Sequence, residues 1–81
     1  MHEFTLAQGL HNQLLELANE HRVAKVLKAE VAIGDNAGIV IESFVFGVKV
    51  LADENEVTKG MDLDIVSDSG QDLMLLRVEL E

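Results

Sequence analysis

The sequence predicts an α+β fold: two helices packed on one face of a small three-stranded sheet, in the order helix, strand, helix, strand, strand. One long stretch spaces its apolar residues three or four apart, and three other stretches alternate apolar with other residues. Length sets the ceiling. The 81 residues make one domain, 1–81, with a single modest core near the size at which stability becomes marginal.

From Glu3 to His21, Leu6, Leu10, Leu14 and Leu17 recur on one helical face with Ala7 and Ala18 beside them, while Gln8, Asn12, Gln13, Glu16 and Glu20 take the outer face. Asn19-Glu20-His21-Arg22 brings the polar and basic residues suited to a helix end. The period then changes to two. In Val26 to Gly34, Leu27, Ala29, Val31 and Ile33 alternate with Lys28, Glu30 and Ala32, a strand stopped by Gly34-Asp35-Asn36. Ile39 to Leu51 fits both periods, and its β-branched and aromatic residues lean to strand. Asp53 to Glu56 and Lys59-Gly60 read as solvated loop. Met61, Leu63 and Ile65 alternate with Asp62 and Asp64, and Met74, Leu76, Val78 and Leu80 alternate with Leu75, Arg77 and Glu79. These are two further strands, expected to pair as a hairpin through Ser67-Asp68-Ser69-Gly70. The outer sheet face, with Lys28, Glu30, Asp62, Asp64, Arg77 and Glu79, is expected to be charged and wet.

Fifteen acidic residues against six basic ones give a formal charge of −9, which argues against nucleic acid and anionic membrane surfaces as partners. Cations and basic protein surfaces are the natural company. With no cysteine there is no disulfide, thiolate zinc site or thiol nucleophile. No stretch has the apolar length of a transmembrane helix and the first residues lack the basic segment of a signal peptide, so a soluble cytoplasmic protein is the expectation.

Chemistry concentrates at Met1-His2-Glu3. The α-amine, a deprotonated amide nitrogen and the His2 imidazole can close two fused chelate rings on one metal ion, a donor set that nickel(II) or copper(II) accepts in tetragonal geometry. The alternative for such a short motif is a frayed, solvated end. His11 and His21, ten residues apart on one helix, lie on different faces and cannot both join His2. His11 reads as a surface or semi-buried side chain and His21 as a helix-end residue. Asp53, Glu54 and Glu56 lack the glycine and terminal glutamate of an EF-hand, Gly34 to Gly38 lacks a P-loop lysine, and Ser67 and Ser69 have no adjacent histidine. A metal-dependent hydrolase would have Glu3 as its only local base.

Five segments together carry a family resemblance: Met1-His2-Glu3-Phe4-Thr5; Lys25-Val26 into Val31-Ala32-Ile33-Gly34-Asp35; Glu42-Ser43-Phe44-Val45-Phe46; Met61 to Val66; and Gly70-Gln71-Asp72-Leu73 to Glu81. In order and spacing, over essentially the whole chain, they resemble the HypA family of hydrogenase nickel-incorporation proteins. The resemblance implies that nickel(II) binding depends on His2, with nearby amide nitrogens and Glu3 taking part, and that Ile39 to Leu51 is a helix. It implies a HypB-like GTPase and the hydrogenase large subunit as partners, with urease as a further recipient in some bacteria, and a monomer or weak homodimer. HypA proteins carry a zinc-binding insert with two CxxC pairs between the last two strands. Here the turn 67–70 stands in its place, so no zinc is expected. Loss of that insert gives weight to a rival, a metal-independent protein-interaction module on the same fold.

Overall fold

The computed structural model describes residues 2–81. Its first element, α1 (His2–Glu20), buries Ala7, Leu10, His11, Leu14 and Ala18, a stripe at helical spacing, and leaves its polar face in water. It ends where Arg22 takes a left-handed conformation (φ 57°). The amide of Val23 then donates to the Ala18 carbonyl at 3.0 Å and that of Arg22 to the Asn19 carbonyl at 3.2 Å, a Schellman-type close.

The strands are β1 (Val26–Gly34), β2 (Asp62–Asp68) and β3 (Leu73–Leu80), and α2 (Ile41–Asp53) lies between the first two. The ambiguous segment is thus a helix. Its 3.6-residue period puts Phe44, Val48 and Ala52 in the core together with Gly47, where α2 approaches α1 so closely that an added Cβ would lie 3.1 Å from both Ala7 and Phe4. Packing on α1 and the sheet here outweighs intrinsic strand preference.

The sheet order is β2-β1-β3, with β2 parallel and β3 antiparallel to β1. The hairpin expected through Ser67 to Gly70 does not form, because β1 lies between its two strands. Apolarity explains the order. Val26, Ala29, Val31, Ala32 and Ile33 make β1 the most buried strand, suited to the centre, while the aspartates of β2 suit a solvated edge. Ser67 and Asp68 belong to β2, so the connection is residues 69–72, and it arches over the carboxyl end of β1. Gly34 makes the arch possible: a Cβ there would overlap the Gly70 carbonyl and stand 2.8 Å from the Gln71 nitrogen. Three amides of the β1 end then donate upward into the arch, Gly34 to the Asp72 carbonyl, Asp35 to that of Asp68 and Asn36 to that of Gly70, at 2.8–3.0 Å.

Two register shifts change which residues face inward. Val26 pairs with Leu80 but Lys28 with Glu79, and Glu30 pairs with Arg77 but Val31 with Leu75. Each is a bulge, and each reverses the phase of alternation. Val26 rather than Leu27 is therefore buried, and Leu73, Leu75, Val78 and Leu80 pack on the core while Met74 and Leu76 face out. The outer face is accordingly not uniformly charged. Lys28, Glu30, Arg77 and Glu79 share one end of it, and Val66, Met74 and Leu76 are exposed toward the arch. All inward residues from α1, α2 and β1 form one cluster with those of β2 and β3 against it, which places both helices on the same face.

Candidate functional site

The amino-terminal turn of α1 sits between the arch and the start of α2. Met1 lies outside the described residues, so the site begins at His2. His2 is exposed and, with Leu6, borders an open groove of about 350 Å³ whose far wall comes from Ala37 to Ile39 and from Gln71 to Leu73 of the arch. Asp72 is the acidic residue in that wall. Its proximity to His2 is produced by the crossing over β1, which a hairpin reading of the sequence conceals.

Glu3, one residue on, borders a different groove beside Phe4 and Glu42. Its Oε2 accepts a 3.0 Å hydrogen bond from the Val40 amide, at the entry of α2. Val40 has no side chain able to cap the helix, and the Glu3 carboxylate arrives from α1 to take an amide there. The Val40 amide first, and the amide of Glu3 itself second, hold this carboxyl below the usual glutamate range. So Glu3 is the fastener between the starts of the two helices. As first-turn residues of a helix, His2 and Glu3 have amide groups without intrahelical acceptors.

The other histidines lie apart. His11 is buried, with Nε2 2.8 Å from the Thr58 hydroxyl, which itself donates to the Ala52 carbonyl at 3.2 Å. Since the hydroxyl proton is used on Ala52, His11 donates from Nε2. Burial pushes its pKa down and so favours the neutral ring. This bond ties α1 to the loop after α2. Thr58, fully buried between two stretches that read as solvated loop, gave no sequence signal. His21 follows the far end of α1, about 28 Å along the helix from His2 at 1.5 Å per residue. Asp64 is taken by Lys28 at 3.0 Å, which raises the lysine pKa, and both side chains are substantially exposed. Asp53, expected in a loop, is the last residue of α2, and just beyond it the Asn55 side chain accepts the Val57 amide, closing a turn. Among the described residues no three histidine or carboxylate side chains converge on one point that could hold a metal ion.

A sequence model of the HypA family, described as "Hydrogenase/urease nickel incorporation, metallochaperone, hypA", matches residues 1–72. The chain belongs to the HypA family. It is 43% identical over 63 residues to the hydrogenase maturation factor HypA of Caldanaerobacter subterraneus subsp. tengcongensis, a match covering 78% of this chain and 54% of that one. A second HypA, from Methanocella arvoryzae, is 37% identical over 67 residues, covering 83% and 58%. The matches thus span little more than half the length of these curated relatives. Two solution structures share the fold. The nickel metallochaperone HypA from Helicobacter pylori superposes with a TM-score of 0.78 at 18% identity, over 100% of this chain and 94% of that one. Another HypA protein gives 0.84 at 21%, over 100% and 97%. The α+β architecture is therefore the HypA architecture, and the helical assignment of Ile41 to Asp53 belongs to it.

Proposed function

We propose that this chain carries one nickel(II) ion at its amino terminus and delivers it for [NiFe] hydrogenase maturation, as a carrier and not a catalyst. The single observation that carries the reading is an exposed His2 opening α1 in a chain of the HypA family. The donors are the His2 imidazole, the Met1 amine and the adjoining amide nitrogens. No preformed cage of side chains is needed for such a set. Two deprotonated amides would balance the charge of the ion. The Glu3 carboxylate, held by Val40, contributes by fixing the first turn against α2. Exposure suits delivery, because an open chelate can be taken over by a partner one donor at a time. A HypB-like GTPase and the hydrogenase large subunit are the proposed partners, consistent with the maturation-factor role stated for the HypA relatives.

Isothermal titration of nickel(II) into protein with an authentic Met1, beside His2→Ala and a variant lengthened by one residue at the amino terminus, tests the reading. One-to-one binding lost in both variants is expected. Equal weak binding in all three would sink it. Imidazole and amide nitrogens must give up their protons to bind the ion, so affinity for the unmodified chain should fall as pH is lowered. The second reading, a metal-independent interaction module, draws on the exposed aromatic groove beside Glu3. It predicts that His2→Ala abolishes nickel binding, if any, without touching partner binding or function.

A further inference from the structure

Between the start of α1 and the first turns of α2 lies an open groove of about 360 Å³ lined by Glu3, Phe4, Glu42, Ser43, Phe46 and Gly47. The chain has three phenylalanines. Phe44 is fully buried, but Phe46 is 70% exposed and Phe4 47% exposed, both on this groove. Ser43 is small and exposed, and Gly47, one helical turn on, is buried because the Phe4 ring and Ala7 lie against it, so the two form the floor beside the rings. Two aromatic rings beside such a floor offer an anchor pocket, and exposed apolar surface rimmed by polar groups marks an interaction site.

The rim decides the occupant. Its charged side chains are both carboxylates, Glu3 and Glu42, and Glu3 is held in place by the Val40 amide. Among the described residues no lysine, arginine or histidine lines the groove; Lys49, further along α2, is outside it. A second copy of the chain would bring the same carboxylates against these, and a molecule of net charge −9, onto another of net charge −9. We propose that this groove receives a short amphipathic helix of a partner protein, its apolar anchor seated between Phe4 and Phe46 and a lysine or arginine on either side facing Glu3 and Glu42. A helix laid between two helices supplies apolar side chains at i and i+4, which suits a groove whose exposed apolar groups are the Phe4 and Phe46 rings. This goes beyond nickel carriage and does not depend on it, since neither the His2 imidazole nor a metal ion takes part.

The experiment uses metal-free full chain and synthetic helical peptides with Leu, Met or Phe at i and i+4 flanked by lysines, beside the same peptides with glutamate for lysine. Amide shifts in two-dimensional NMR and fluorescence anisotropy report binding. At least one lysine peptide is expected to bind, with shifts centred on Phe4, Ser43, Phe46 and Gly47. Affinity should fall tenfold or more in Phe46→Ser and in Glu42→Lys, whose exposed positions leave the fold intact. Rising salt should weaken binding as well. Failure of every lysine peptide, equal binding of the glutamate peptides, or indifference to Phe46→Ser would overturn the proposal. A concentration-dependent dimer in sedimentation that Phe46→Ser abolishes would make a second copy the occupant and overturn it too. Because no nickel is present, loss of the nickel reading and loss of this one give different results.

Discussion

Single side chains from α1 divide the labour at the two ends of α2. Glu3 closes the entry of α2, and His11 closes its exit by way of Thr58 and Ala52. Replacing Thr58 with valine keeps the shape and leaves the Ala52 carbonyl its Asn55 amide, but strands the His11 donor in the interior, which should cost about 1–3 kcal/mol in urea unfolding. The same network predicts a pH dependence. His11 titrates near its ordinary value, about 6.5, when unfolded, and lower when folded because burial disfavours the imidazolium. Above about 6.5 both states hold it neutral and its contribution is complete. As pH falls below that, the unfolded chain takes up a proton the folded chain resists, so stability falls toward the folded pKa. Denaturant midpoints between pH 7 and pH 5.5 should decline, and His11→Asn should flatten that slope. In the sequence His2 and Glu3 are legible as one motif. That their side chains part into two grooves is not, because Val40, which bonds Glu3, and Asp72, which lines the groove of His2, come from segments 37 and 70 residues away along the chain.

Elements are legible where one period is unopposed. Leu6, Leu10, Leu14 and Leu17 announce α1, and Ala29, Val31 and Ile33 announce β1. Ile41 to Asp53 is not settled by periodicity, since either period buries Phe44 and Val48. Family resemblance supplies the helix, and the close approach of Gly47 to Ala7 supplies the physical reason for it. Bulges are the other blind spot. A one-residue slip at Leu27 or Leu76 leaves composition untouched yet exchanges inward for outward residues from there on. Strand order failed for a related reason: Ser69-Gly70 has the composition of a tight turn and serves as a bridge over another strand. Gly34→Ala tests that bridge. Its new Cβ meets backbone, which cannot swing aside as a side chain tip can, so a loss of about 3 kcal/mol in urea unfolding is expected. Unchanged stability would mean the arch does not rest on Gly34.

Across the whole molecule the surplus of nine negative charges bears on stability as well as on partners. Apart from Lys28 with Asp64 and Arg77 with Glu79, no ion pairs offset it among the described residues. Self-repulsion should therefore be relieved by added salt, and the thermal midpoint should rise between 10 and 200 mM sodium chloride, whereas a chain limited by attractive pairs would lose stability. The HypA fold in this chain completes its centre last. β1 is made early, yet its second edge is covered only by the final strand, delivered across the arch. During synthesis the most apolar strand must then wait, half-covered, until Leu80 has left the ribosome. A polypeptide cut at residue 72 would keep every residue that the family model matches and still present the bare edge of its best strand to any other chain, turning a folded domain into a seed for aggregation.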